Sequence, residues 1–214
     1  MIEIKKSKNE NIRDIATCHR QAFGDSLSSK LGLKHCMKMM SFYIEDERGI
    51  LYHASDNGKI IGYCGGLMNT KPGQPGSATS MIQFSFKSII LSILVRPWLL
   101  FQKEIRHNIS LIAKNIKLKL FKNLVKARHV PDNVVSEFVP SIGLVVIGVL
   151  PEQQGKGYGS LLLNEFEHFA QKEGFKKMVL SVKKDNHKAI RAYERNGWTI
   201  QHSGREEHVM TKTI

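Results

Sequence analysis

Cysteine is scarce in this chain. Cys18, Cys36 and Cys64 lie far apart and form no Cys-x-x-Cys pair. That excludes a disulfide-stapled scaffold and fits free, buried thiols in a reducing, cytoplasmic compartment. The opening residues, Met1-Ile2-Glu3-Ile4-Lys5-Lys6, lack the long apolar stretch of a secretory signal. A membrane span needs about 20 uninterrupted apolar residues. The nearest candidate, Met81 to Val95, contains Lys87 and stops at Arg96-Pro97, so no transmembrane span is expected. The histidines show no close ligand spacing, so no metal site is expected. Acidic residues are nearly missing from residues 69–135. That segment holds 11 Lys/Arg against only Glu104 and Asp132, a net charge of +9 out of +13 for the whole chain.

What is present suits one domain of 214 residues with a sizeable core. Ile2–Lys6 reads as a first strand. Asn11 is a candidate cap for a helix with apolar positions at Ile12, Ile15, Ala16, His19, Ala22 and Phe23. Gly24–Ser29 breaks it, and a second helix is expected from about Leu31 to Glu45. Asn57-Gly58 between two apolar runs, Ile50–Ser55 and Ile60–Met68, is a strong hairpin signal. Pro72-Gly73-Gln74-Pro75-Gly76 opens the basic segment. Within it Phe101, Ile105, Ile109, Ile112, Ile116, Leu120 and Leu124 recur at helical spacing. Ile142–Leu150 is a continuous apolar run, as in a buried central strand. A helix over Ser160–Glu173, a strand over Lys177–Lys183, a helix over His187–Asn196 stopped by Gly197, and a hairpin around Gly204 complete the chain. The order βααββ, insertion, βαβαββ is that of a mixed α/β sheet.

The most telling stretch is Gln154-Gly155-Lys156-Gly157-Tyr158-Gly159, set between the apolar strand and the next helix. Glycines at alternate positions bare backbone N–H groups, and the helix turns its positive end to the same place. Such a turn suits a phosphate. A Walker loop fails because Gly157 follows Gly155-Lys156. A dinucleotide fingerprint fails because its third glycine comes one residue too early. Downstream, Asn186 and Tyr193 lie two helical turns apart and face one way. On their own, Asn186 reads equally as a helix cap and Tyr193 as a core aromatic.

Three stretches resemble the GCN5-related N-acetyltransferases, the GNAT superfamily. They are Val149-Leu150-Pro151-Glu152-Gln153-Gln154-Gly155-Lys156-Gly157-Tyr158-Gly159, Asp185-Asn186-His187-Lys188-Ala189, and Ala192-Tyr193-Glu194-Arg195-Asn196-Gly197-Trp198. The likeness covers the chain outside residues 69–135. It implies the GNAT acyl-CoA N-acyltransferase fold, with helices flanking a mixed sheet; the helical insertion expected over residues 69–135, between the third and fourth strands, is where this chain departs from the family pattern. It implies acetyl-CoA as cosubstrate. The amides from Gln154 and Gly155 through Lys156, Gly157, Tyr158, Gly159 and Ser160 would take the diphosphate, and Ile147, Gly148 and Val149 the pantetheine arm, with Gly148 easing its approach. It further implies Asn186 as a contact to that arm and Tyr193 as the acid that protonates the leaving thiolate. A phenol with a pKa of about 10 is near balance with a thiol. The expected oxyanion donor is the backbone N–H of Leu150 or Val149.

The run Phe138–Leu150 holds no carboxylate to deprotonate an amine. Glu137, His129 and His53 are the candidates, none with a motif around it. The expected function is acetyl transfer to a primary amine of a small molecule, an anionic one included. The alternative is a non-catalytic CoA-binding domain whose basic insertion attaches through residues 81–126 to a membrane surface or a protein partner. A longer acyl group is a further enzymatic reading. The insertion serves as an extra helical layer, an acceptor-site wall or such a surface. Trp98 and Phe101 fit an apolar stripe better than a base-stacking platform, which points away from nucleic acid. The acceptor walls are expected from Gly24–Leu31, the insertion and the hairpin at Ser203–Glu207.

Overall fold

The computed structural model describes residues 1–74, 77–101 and 138–214. Its strands are β1 (Ile2–Lys6), β2 (Gly49–Asp56), β3 (Lys59–Asn69), β4 (Ser141–Val149), β5 (Lys177–Lys183), β6 (Thr199–Ser203) and β7 (Glu207–Thr213). Its helices are α1 (Ile12–Ala22), α2 (Leu27–Leu31), α3 (Leu33–Glu45), α4 (Ser77–Val95), α5 (Tyr158–Lys172) and α6 (His187–Arg195). The strands form one mixed sheet in the order β1-β2-β3-β4-β5-β7-β6.

Apolar periodicity decides which helix face meets the sheet. Helix α1 buries Ile12, Ile15 and Ala16, and α5 buries Leu162, Leu163, Phe166 and Ala170. Side chains on β3 alternate between the two layers. A Cβ on Gly62 would meet Leu162 of α5, whereas Tyr63 bonds His19 of α1. One core unites both layers with Tyr43, Tyr63, Ile142 and Leu150.

The position of the site follows from β4. It pairs antiparallel with β3 along its length, but parallel with β5 only at Ile142 and Gly143. Gly65 lies opposite Val146 and Gly66 opposite Leu144, so Val145 is an extra residue, a bulge. A bulge bends its strand. Beyond it β4 and β5 part, and a cleft opens between them. Val145, Val146 and Ile147 are therefore only half-buried, although their sequence reads as a fully covered strand.

Several expectations change in detail. Asn11 does not cap α1 with its side chain; its Oδ1 accepts from the Lys8 N–H while residues 9–11 form a 3-10 turn. The expected break at Gly24–Ser29 gives way to α2, capped by Ser26, and α2 is separated from α3 by Gly32 at φ 97°. Helix α5 starts at Tyr158, two residues earlier than expected, so its first turn lies inside the glycine motif.

The described part of the insertion is helical: α4, then a 3-10 turn over Pro97–Phe101. No described helix is long and apolar enough to cross a membrane. The expected amphipathic stretch beyond Phe101 lies outside the described residues, as do Glu137 and His129.

Candidate active site

The cleft between β4 and β5 has a volume of about 760 Å³. Its floor is Leu144–Val149, and α6 forms one wall with Asn186, Ala189, Ala192 and Tyr193. Gln154, Gly155, Gly157, Gly159 and Ser160 close the end where β4 runs into α5. Lys156 and Tyr158 lie outside this lining. The Lys156 ammonium donates to Gln153 Oε1 instead (3.0 Å).

The glycine turn has a backbone reason. Gly155 and Gly157 sit at φ 81° and 87°, the left-handed region that side chains avoid. Gly157 caps α5 without a side chain, so nothing shields the N–H groups of the first turn. Those orphan donors and the helix dipole attract an anion.

The strand supplies further donors. Leu150 N–H donates to the Ile61 carbonyl at 2.9 Å. Leu150 is therefore excluded as the oxyanion donor, because its proton is already engaged with β3. Successive residues of a strand point their N–H and C=O to opposite edges. Val149 and Ile147 thus direct theirs into the cleft, and the Val149 carbonyl accepts from Gln154 Nε2 at 3.1 Å. Gly148 points elsewhere than expected. A Cβ there would meet Phe23 Cε2 at 2.8 Å and Tyr63 Cε1 at 2.9 Å, both on the α1 side of the sheet. Those rings take up the space a side chain would fill, and Phe23 and Gly148 both line the cleft.

Asn186 caps α6, with Oδ1 accepting from Ala189 N–H at 3.2 Å. Its amide NH₂ is left as a donor. Tyr193 is two turns on, edge-tilted against the buried Trp198 with ring centroids 6.1 Å apart. Burial pushes its phenol up to about 12. That is a weaker acid than expected, yet the same burial also disfavours a departing thiolate.

Charge at the cleft is one-sided. Lys183, Lys188, Arg191 and Arg195 line it, and among the described residues no Asp, Glu or His does. The Lys188 ammonium donates to Gln154 Oε1 at 2.6 Å, and Asn196 Nδ2 donates to Ser160 Oγ at 3.1 Å. Both bonds tie α6 to the glycine turn. Sequence reading passed over these four cations. The spacing of Lys188, Arg191 and Arg195 on α6, one face of a helix, was the available signal.

His53 is not in the cleft. It is buried on β2 and shares a hydrogen bond with Ser7 Oγ at 3.0 Å, two strands from β4. His19 is buried on α1, bonded through Nδ1 to the Tyr63 hydroxyl and through Nε2 to Ser28 Oγ at 2.7 Å. Burial lowers its pKa to about 4, with a smaller contribution from His35.

Residues 127–198, a third of the chain, match the model of the acetyltransferase (GNAT) family. The chain carries a GNAT segment on a GNAT fold. Among solved structures, PaiA N-acetyltransferase from Thermoplasma acidophilum in complex with coenzyme A is similar at 13% identity and a TM-score of 0.58, over 100% of this chain and 99% of that one. The ribosomal-protein-S18-alanine N-acetyltransferase of Escherichia coli gives 15% and 0.57, over 100% and 94%. A GNAT acetyltransferase from Brucella melitensis in complex with acetyl-CoA gives 13% and 0.53, over 100% and 88%. No curated protein matches the chain. At these identities the structural likeness speaks for the GNAT fold alone.

Proposed function

We propose that this protein moves an acyl group, acetyl in the first instance, from its coenzyme A thioester to a primary amine. The observation that carries this reading is the cleft itself. Among the described residues it combines unshielded amides at a helix start with four cations and no carboxylate, a site for a polyanion. A diphosphate would lie on the turn from Gly155 to Ser160. The pantetheine arm would run along the free edge of β4, pairing with Ile147 and Val149. The GNAT match and the CoA-bound structures of similar fold support the same cosubstrate.

The proposed chemistry is direct transfer. The amine nitrogen attacks the thioester carbonyl carbon and gives its proton to water. The carbon–sulfur bond breaks, and the sulfur takes the proton of Tyr193. The N–H of Val149 or Ile147 faces the oxygen that gains charge. The acceptor would enter past Phe23 and α2, with the insertion behind them. Isothermal titration with CoA and acetyl-CoA, followed by thiol release over a panel of amines and acyl-chain lengths, tests the reading. Absence of heat on folded protein would remove it.

One observation favours a second reading. No carboxylate or histidine lines the cleft among the described residues, which suits a domain that binds CoA without catalysis. CoA binding without thiol release for any amine would select that reading.

A further inference from the structure

Helix α4 packs on α3, where Phe84 meets Phe42 and Ser88 Oγ shares a hydrogen bond with His35 Nδ1 at 2.9 Å, and on α2, while its outer face is uncovered among the described residues. Ile82, Ile89 and Ile93 pack with Leu99 against Leu27 and Leu31 of α2. Arg96 closes the contact. Its guanidinium lies over Gly32 and donates to the Lys30 carbonyl at 3.5 Å. The opposite face carries Leu91, Leu94 and Val95 and continues through Trp98 to Phe101. Leu94 is 72% exposed, Trp98 59% and Phe101 82%. Positions 87, 91, 94, 95 and 98 make one stripe at helical spacing, begun by the exposed Lys87.

Charge narrows what this face meets. The sequence has no acidic residue from position 57 through 103, and residues 69–135 carry a net +9. A second copy of the chain would bring another +13 against the first, which opposes self-association. The described apolar side chains stand out from a helix and its trailing turn rather than lining a groove, and Trp98 is of the type that settles at a lipid headgroup boundary. An apolar stripe within a basic segment is the pattern of a helix that lies in an anionic interface.

We propose that the outer face of α4 and the Pro97–Phe101 turn rests on the surface of an anionic bilayer, without crossing it. Leu91, Leu94, Val95, Trp98 and Phe101 enter the headgroup layer with Lys87 beside them, and the net positive charge of the sequence in this region favours anionic lipid. Helix α3 holds this platform to the sheet domain through the Phe42–Phe84 ring contact and the His35–Ser88 hydrogen bond, and α2 adds Leu31 and the Lys30 carbonyl that Arg96 reaches. The proposal stands independently of acyl transfer.

The test uses the whole protein with vesicles of phosphatidylcholine, alone or mixed with phosphatidylglycerol. The protein should pellet with the mixed vesicles at low ionic strength and be released by salt. Trp98 emission should move to shorter wavelength on binding, while the buried Trp198 holds its own. Leu94→Glu combined with Phe101→Glu should lower partitioning about tenfold, ~1.4 kcal/mol. Both positions are exposed, and circular dichroism checks that the fold is kept. Three results would overturn the proposal. They are no pelleting at low salt, equal pelleting with neutral vesicles, and pelleting that the double variant leaves unchanged. Concentration-dependent dimerisation lost in the double variant, without vesicle binding, would assign the face to a second copy instead.

Discussion

Gly148→Ala separates two reasons for a glycine on β4. If the glycine lets a ligand approach, the alanine variant should fold normally and bind CoA poorly. The structure argues the other way. The new Cβ would lie 2.8 Å from Phe23 Cε2 and 2.9 Å from Tyr63 Cε1, roughly an ångström inside ordinary carbon–carbon contact. Phe23 is 36% exposed and has room to swing. Tyr63 does not: it is fully buried, and its hydroxyl is bonded to His19. Relief must come from the backbone of β4 or from the tyrosine ring, and overpacking of this kind costs about 1–3 kcal/mol. Urea unfolding at neutral pH should show that loss. In a Phe23→Ala background most of the penalty should persist, because the fixed partner is Tyr63, and a double-mutant cycle should return a coupling within about 0.5 kcal/mol of zero. A penalty below ~0.5 kcal/mol, together with a large drop in CoA affinity, would refute the packing account and return Gly148 to the ligand.

Tyr193→Phe should leave CoA affinity within about twofold and lower turnover ~100-fold or more; single-turnover thiol release decides, and unchanged chemistry would strip the tyrosine of its role. Lys188→Ala and Arg191→Ala should each weaken CoA binding about three- to tenfold at low ionic strength and less in high salt, since both side chains are exposed. An effect indifferent to salt would contradict a charge contribution. Stability should fall in mild acid. Burial holds His19 and His35 near 4, against 6.5 in the unfolded chain. Above pH 6.5 both states are neutral and stability is level. Below it the unfolded chain takes up protons that the folded chain refuses, at up to ~1.4 kcal/mol per pH unit for each histidine, until about pH 4. A urea midpoint constant from pH 7 to 5 would contradict this.

Local signals carried much of the fold. Asn57-Gly58 marks the turn of the β2–β3 hairpin, and Asn57 and Gly58 both sit at positive φ. The Gly197 stop of α6 also lies where the sequence places it, at φ 81°. Non-local facts were not legible. Nothing in Ile142–Leu150 tells which neighbour β4 loses, because partner choice is set by the bulge at Val145 and by a β5 that touches it only at its start. The facing of Gly148 and the engagement of Leu150 N–H follow from that register. Helix α2 escaped notice because five residues between two glycine breaks have no measurable period; its evidence is the Ser26 cap and the contact with Leu99. The cations of the cleft were visible as residues, but their common wall appears only once α6 is placed beside the glycine turn.

The absence of a carboxylate in the described lining has a chemical consequence. Direct transfer makes two opposite demands on protons: the acid must keep its own until sulfur leaves, and the amine must arrive without one. Desolvation serves both, because it penalises charge of either sign. It raises the phenol of Tyr193 to about 12, and it lowers the pKa of an amine drawn into the same cleft. A glutamate base would undo this by stabilising the ammonium and cancelling a charge that the diphosphate uses. On this account the rate at saturating amine climbs about tenfold per pH unit and levels at the lowered pKa of the bound amine. The plateau should move with the intrinsic pKa across a series of amines. A level reached at one fixed pH between 6 and 7, whatever the amine, would mean that a protein base does the work and that the cleft has a member beyond the residues described.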